Sequence, residues 1–461
     1  MIAAAGETAG EMAGETAVIG LGASGRSVAA LLAREGQRVY ASDSGATAGL
    51  VQAAEELRAL GVAVDTGRHD LSRIGRARTA VVSPGVPPTA APVQAARAAA
   101  VPVVSEVEVA LAYLPGLRYV AITGTNGKST TTALVAHLFG ALGYDAIAAG
   151  NIGLPLAEIA LRPTPPQWVA LELSSFQLHD TPSLDPAVGV LTNLSPDHLD
   201  RYASAASYYA DKGRLYANAG DRSIWVDNAD DAAASALAAG ARGRHVRFSL
   251  VGGAADAAYD AERATLMLEG TPLLARSELP LLGDHNVANA LAAALAVTRA
   301  DAAHETPAMR SRIAAGLRSM RALPHRLEVV GEFGGVIWID DSKATNVSSA
   351  LVAIRGMTRP TVVLLGGRHK GEPYTALAEP LARVGKRVIA YGEAAPLIER
   401  DLGGLVPLER LGSSFEAVMA RAHALVGPGD AVLLSPACSS FDMFRNYAER
   451  GSTFARLAAG G

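Results

Sequence analysis

The 461 residues are 49% hydrophobic and 19% charged, with a net charge of −4 and an isoelectric point near 6.2. That balance gives ample apolar surface to bury and excludes a disordered chain, while the absence of a dense Lys/Arg run excludes a polyanion-binding surface and so a nucleic-acid partner. The lone cysteine, Cys438, excludes an internal disulfide, and no apolar run reaches the ~18 residues that span a bilayer.

A cytoplasmic protein with no membrane partner is expected, in about three domains for this length. Residues 1–15, Ala, Gly, Glu and Thr in near-repeat, read as a frayed leader without the basic and apolar regions of a secretion signal. An apolar strand at residues 16–21 leads into Gly20-Leu-Gly22-Ala-Ser-Gly25, then an Ala/Leu-rich helix to Glu35 closed by Gly36. A second strand, residues 38–43, ends on Asp43; further strands are predicted at 79–83, before Pro84-Gly85, and at 102–105. The Gly-x-Gly-x-x-Gly turn with a strand-end acid fits a dinucleotide, a UDP-linked sugar or a tight packing turn with no ligand, because any diphosphate suits a helix N-terminus.

Residues 119–132 carry the sharpest local signal. An apolar β-branched run stops at Thr123-Gly124-Thr125-Asn126-Gly127-Lys128-Ser129-Thr130 and continues as a helical pattern. Strand, glycine loop and helix N-terminus together form an anion cradle. Backbone N–H groups face phosphates, Lys128 adds a mobile charge, and Ser129 or Thr130 can offer an oxygen to Mg²⁺. Ile122 stands where the longer phosphate loop has glycine, so this is a shortened form; the bland alternative is a glycine turn with a solvated lysine. The pattern predicts a nucleoside triphosphate site.

Strands at 168–172 and 188–193 follow, ending on Glu172 and on Thr192-Asn193. Glu172 is placed to hold Mg²⁺ or to cap the next helix. Asp197-His198-Leu-Asp200 can supply a metal or substrate contact, or Asp197 caps a helix and His198 is surface. Lys212 alone reads as a solvated helix lysine. Around 223–226 and 246–282 the alternation shortens and an antiparallel appendage is expected. A third unit after Leu323-Pro324-His325-Arg326 has predicted strands at 336–340, 361–365, 386–391 and 430–434. Its strand ends carry Asp341-Ser-Lys343-Ala-Thr345, Gly366-Gly-Arg-His-Lys370 and Ser435-Pro-Ala-Cys438-Ser-Ser440-Phe441, a pattern suited to a small carboxylate-bearing ligand. Alternation of strands and helices implies parallel sheets covered on both faces, an α/β chain of three consecutive domains: 1–110 and 323–461 Rossmann-like, 111–322 a phosphate-loop domain.

With these segments assembled, the chain resembles the Mur ligases, and among them the D-glutamate-adding branch. The resemblance is carried by Gly124-Thr-Asn-Gly-Lys-Ser-Thr, Leu171-Glu-Leu-Ser-Ser-Phe-Gln-Leu, Asp197-His-Leu-Asp-Arg-Tyr, His285-Asn-Val-Ala-Asn, Leu323-Pro-His-Arg, Asp341-Ser-Lys-Ala-Thr-Asn and Ser435-Pro-Ala-Cys-Ser-Ser-Phe-Asp. It implies an ATP- and Mg²⁺-dependent amide ligase, a monomer acting on small molecules through an acyl phosphate. By likeness, Lys128 touches the β/γ-phosphates, Ser129 and Glu172 hold one Mg²⁺, and His198 with Lys212, as a carbamate, holds another. Asn289, Arg326 and Asp341 take adenine, γ-phosphate and ribose. Ala23, Ser24, Ser83, Gly85, Asn151, Gln177 and His198 receive the UDP-linked substrate, and Thr345, Lys370, Ser440, Phe441 and Tyr447 the amino acid, with Lys343 steadying phosphate. The chain departs from the family at Arg368-His369, where Asp-Gly is usual, at Ser44-Gly45, which lacks an Arg, and at Tyr447, where Phe is common. Competing readings are a sister ligase or folylpolyglutamate synthetase, an NAD-dependent dehydrogenase, and a non-catalytic nucleotide switch.

Overall fold

The computed structural model describes residues 14–198 and 201–460. The expected leader, up to residue 13, and Leu199 and Asp200 of the Asp-His-x-Asp cluster lie outside the described residues.

Five short strands make the first sheet: β1 (Thr16–Ile19), β2 (Val39–Asp43), β3 (Ala63–Thr66), β4 (Thr79–Val82) and β5 (Val103–Ser105). All neighbours pair parallel, in the order β3-β2-β1-β4-β5. Buried Val28, Ala29, Leu31 and Leu32 give helix Ala23–Arg34 one apolar stripe. The chain reverses direction across the sheet between β1 and β4, which opens a crevice beyond their C-terminal ends. Gly25 permits the close packing there: a Cβ on it would lie 1.8 Å from the Gly20 carbonyl oxygen.

The second sheet contains β6 (Tyr119–Thr123), β7 (Ala146–Gly150), β8 (Trp168–Glu172), β9 (Val188–Leu191), β10 (Ile224–Asn228), β11 (Arg244–Ser249), β12 (Ala257–Asp260), β13 (Thr265–Leu268) and β14 (Thr271–Ala275). Its order is β14-β13-β12-β11-β10-β9-β6-β8-β7. The expected antiparallel appendage is corrected for its first strands, because β10 pairs parallel with β9, and β11 parallel with β10 and β12. β13 and β14, neighbours joined by two residues, form the hairpin that an antiparallel pair requires. These strands extend the central sheet. Their alternation reflects one exposed face, as in the burial pattern of Arg244–Ser249, and carries no information on direction. One buried cluster runs from Val18 and Val28 to Leu156 and Val169, so these two sheets share a core.

The third sheet has β15 (Glu328–Phe333), β16 (Val336–Asp340), β17 (Thr361–Gly366), β18 (Gly385–Tyr391), β19 (Leu408–Arg410) and β20 (Ala431–Leu434), in the order β15-β16-β20-β17-β18-β19. It is parallel except for β15, which pairs antiparallel with β16. The chain forms two compact units, one holding the first sheet and most of the second, the other holding the third. Among the described residues no helix is long and apolar enough to cross a membrane.

Candidate active site

The glycine loop after β6 is tied down residue by residue. Gly124 has φ +146°, and a Cβ there would lie 1.9 Å from Thr192 Oγ1, so the sharp turn requires glycine. Thr125 N donates to Asn193 O at 2.9 Å, Asn126 N to Asn193 Oδ1 at 2.9 Å, and Thr192 Oγ1 to Asn126 O at 2.6 Å. The end of β9 thus holds the loop from beneath, with Gly127 left-handed at the start of helix Lys128–Leu142. Ser129 and Thr130 are buried in its first turn. Lys128 folds back, its Nζ donating to Gly124 O at 2.8 Å and Thr125 O at 2.7 Å, so it is half-buried rather than a freely exposed loop lysine.

Glu172 lies beside this loop because β8 pairs with β6, Ile122 opposite Glu172. It is 1% exposed. Its Oε1 accepts from Asn151 Nδ2 at 2.7 Å, while Oε2 is buried without a hydrogen-bond partner. An orphaned buried carboxylate oxygen is costly unless something cationic meets it, which is the environment of a hard divalent ion. The alternative helix-capping role does not arise, since Ser174 caps helix Ser175–His179.

Lys212 is the residue that local sequence misplaced. On its own pattern it reads as solvated, yet it is 1% exposed, with Nζ 3.3 Å from Thr123 Oγ1 and 4.8 Å from the Tyr208 ring centroid. Burial, then the charge of Lys128, holds its ammonium well below the ordinary lysine range, so a neutral amine is accessible. His198 adopts φ +55°, its ring 6.0 Å from Tyr208 and 5.5 Å from Phe176. Asp197 is buried and its Oδ1 accepts the His198 N–H. Lys128, Glu172 and Asp197 are each within electrostatic reach of Lys212, with Tyr208 beside Lys212 and His198.

Beyond β1 and β4 lies a cavity of about 700 Å³ lined by Ala23, Ser24, Ser83, Gly85 and Asn151, five of the residues expected to meet the UDP-linked substrate. Gln177 borders a smaller cavity of about 200 Å³ that shares Ser83 and Pro84 with the first, and His198 lines neither. Asp43, expected to be available to a ligand, spends both oxygens on backbone: Leu21 N at 2.7 Å and Gly45 N at 2.8 Å. Its role in the fold is to join the turns after β1 and β2.

In the other unit, Asn289 Nδ2 donates to Asn286 Oδ1 at 3.0 Å, both side chains buried. Asp341 is buried, with Ser435 Oγ 2.8 Å from Oδ2 and Leu327 N 3.3 Å from Oδ1; burial pushes its carboxyl up to about 7 despite the charge of Arg326. Lys343 Nζ sits 3.9 Å from the Tyr447 ring centroid. Thr345 N donates to Lys343 O at 2.8 Å, keeping Thr345 in the same turn. Arg368 pairs with Ser439 as an antiparallel bridge, bringing Lys370 and Ser440 onto adjoining segments; Phe441 is 63% exposed. Sequence reasoning missed Arg450. This fully buried cation bonds Ser342 Oγ and the carbonyls of Ser342, Cys438 and Gly366, tying three strand-end loops together. The only local signal is an arginine amid the apolar stripe of helix Tyr447–Ala458.

Comparison with known proteins agrees with this geometry. The Mur ligase middle domain matches residues 122–297, the Mur ligase MurD-like N-terminal domain residues 14–105, and the Mur ligase glutamate ligase domain residues 325–438. The UDP-N-acetylmuramoylalanine--D-glutamate ligase of Salinibacter ruber is 40% identical, covering 95% of this chain and 96% of that protein. The enzyme of that name from Anaeromyxobacter dehalogenans is 42% identical, covering 96% of each. Among solved structures, UDP-N-acetylmuramate-alanine ligase MurC from Thermotoga maritima superposes with a TM-score of 0.61 at 19% identity, covering 96% of this chain and 99% of that one. MurF ligase from the same organism, in complex with ADP, gives 0.62 at 17% identity, covering 91% and 94%. At those identities the structural likeness speaks for the fold alone. The sequence matches run through all three sheets, and the chain belongs to the Mur ligase family.

Proposed function

We propose that this protein joins D-glutamate to UDP-N-acetylmuramoyl-L-alanine at the expense of ATP, a step of peptidoglycan precursor synthesis. The observation that carries the reading is the near-complete alignment, at about 40% identity, with ligases named for that reaction. In this reading residues 1–110 bind the UDP-linked substrate, 111–322 ATP, and 323–461 the amino acid. The enzyme works as a cytoplasmic monomer on small molecules, with neither nucleic acid nor membrane as partner.

The terminal carboxylate of the UDP-linked substrate attacks the γ-phosphorus, ADP leaves, and the amine of D-glutamate then displaces phosphate from the acyl phosphate. The barrier is largely one of charge, so positioned cations and N–H groups are the main catalytic means. Lys128 and the amides of the 124–130 loop hold the β/γ-phosphates, with Asn289, Arg326 and Asp341 on adenine, γ-phosphate and ribose. Asn151, His198 and Gln177 orient the sugar and acyl end, and Ala23, Ser24, Ser83 and Gly85 the UDP end. Lys343 steadies the transferring group, and Thr345, Lys370, Ser440, Phe441 and Tyr447 hold D-glutamate.

Ser129 with Glu172 fits one divalent site and His198 with Lys212 a second, since Glu172 keeps a buried oxygen with no partner and Lys212 is a buried lysine with depressed basicity. Mg²⁺ bound there would neutralise phosphate charge. An ammonium cannot ligate, so Lys212 serves as a carbamate: its neutral amine adds to the carbon of CO₂ and releases one proton.

Purified protein supplied with ATP, Mg²⁺ and UDP-N-acetylmuramoyl-L-alanine should release phosphate only when D-glutamate is added. Equal turnover with L-alanine, L-lysine or meso-diaminopimelate would move the chain to a sister ligase.

A further inference from the structure

We infer that His69 reads the nucleobase of the UDP-linked substrate, through a hydrogen bond between its Nε2 and the 3,4-edge of uracil. The inference rests on the reading of the 700 Å³ cavity as the UDP-substrate site, and deepens it.

Position is the first argument. The cavity is lined, in the spatial order of the sheet, by His69 after β3, Asp43 and Ser44 after β2, Gly20 to Ser24 after β1, Ser83 to Pro87 after β4, and then Asn151. From β3 to β4 is three strand spacings, on the order of 14 Å. Asn151 bonds Glu172, so the reacting end of the substrate belongs at that side. The N-terminus of helix Ala23–Arg34 lies midway and suits the diphosphate. The base then falls at the His69 end.

Chemistry is the second argument. The lining contains no Lys or Arg, and His69 is its only aromatic and its only basic side chain. Asn151 lies at the opposite end beside Glu172, and Ser83 Oγ donates to the Gly20 carbonyl at 2.9 Å. Asp43, Ser44 and His69 line the β2–β3 end, and of these only His69 is a ring able to lie against or beside a heterocycle.

The imidazole is also fixed in place. Nδ1 lies 2.9 Å from the hydroxyl of Ser42, which is fully buried in β2. Burial lowers the basicity of His69, which leaves the ring neutral with a single proton. The Ser42 hydroxyl has one proton and two neighbours, His69 Nδ1 and Tyr40, and Nε2 discriminates in either tautomer. Protonated, it donates to the carbonyl at the 4-position of uracil; unprotonated, it accepts from uracil N3–H. Cytosine carries the opposite group at both places.

The test is calorimetric titration of the full chain with UDP and with CDP, for wild type, His69→Ala, His69→Phe and Ser42→Ala. Wild type should favour UDP. Both His69 variants should lose UDP affinity by about fivefold or more, the yield of one well-made hydrogen bond, and lose most of the preference over CDP. In turnover, His69→Ala should raise KM for the UDP-linked substrate while kcat and KM for D-glutamate and ATP stay put. Ser42→Ala, which frees the ring to turn, should reduce the UDP preference in part. UDP affinity within twofold of wild type in His69→Ala, or kept in His69→Phe, would overturn the inference, and an unchanged preference in Ser42→Ala would overturn the anchoring by Ser42. Wild type that fails to bind UDP would instead remove the underlying reading of the cavity.

Discussion

Replacing Arg450 by methionine tests how the third sheet holds its functional loops. The guanidinium donates to Ser342 Oγ at 2.9 Å, Ser342 O at 2.8 Å, Cys438 O at 3.2 and 3.3 Å, and Gly366 O at 3.4 Å. The side chain is fully buried from bulk solvent. Methionine keeps the stem volume and strands the acceptors. A stranded buried acceptor costs about 1–3 kcal/mol, and relief of the desolvated cation returns part of the sum. The expected net loss is about 3 kcal/mol, within the range seen when a buried charged group is removed from its partners. Urea unfolding followed by tryptophan emission reads it well. Trp338 is 1% exposed and its ring centroid is 5.9 Å from Phe454, on the same helix as Arg450. At a slope of ~1–3 kcal/mol per molar urea the midpoint should fall by about 1–3 M. A loss below 1 kcal/mol would mean that the three loops hold themselves and that the guanidinium is incidental.

Gly124→Ala forces a Cβ into Thr192 Oγ1, so ATP binding measured by equilibrium dialysis should fall at least a hundredfold with the fold intact; near-normal binding would refute the phosphate-loop reading. Lys128→Ala should lower phosphate release by about 10²–10³, as loss of one charged donor on a transferring group does, while circular dichroism stays unchanged. Glu106 supplies a pH test. It is 1% exposed, accepts the Ala157 N–H, and burial raises its carboxyl from 4.5 to about 7. A raised folded-state value means that stability present below pH 4.5 is lost as pH climbs to about 7, by about 3 kcal/mol for the 2.5-unit difference. Glu106→Gln cannot ionise, so its stability relative to wild type should rise between pH 5 and pH 8; a constant difference would refute the buried titration.

Legibility followed the range of the interactions. The phosphate loop was readable because strand, turn and helix N-terminus are contiguous over residues 119–132, although the side chain that makes glycine obligatory at 124 is Thr192, at the distant end of β9. Glu172 was readable as a strand end, though its orphaned oxygen was not. Lys212 was opaque to local pattern: a lysine in helix Ala205–Gly213 looks solvated until Thr123, from elsewhere in the chain, closes over it beside Tyr208, one turn back on the same helix. Only the family likeness singled it out. β3 and β19 escaped notice because Ala-Val-Asp-Thr and Leu-Glu-Arg are too short and too polar to stand out, and they are strands through their neighbours.

Asp43 and Arg450 mark the deeper limit. Each is a charged residue whose type suggests a ligand, and each spends its charge on backbone. Asp43 sits at a strand end within an apparent dinucleotide fingerprint, and that placement suggests a ribose contact. Its two oxygens hold Leu21 N and Gly45 N, so it shapes the turns at the edge of the cavity it lines. A sequence presents the same letter for a group that faces a substrate and for one that faces the chain. The difference lies in whether backbone donors elsewhere have already claimed its oxygens, and that depends on the sheet order. His69 shows the same limit from the other side: the one ring lining the cavity is a histidine on a short loop that no motif marks.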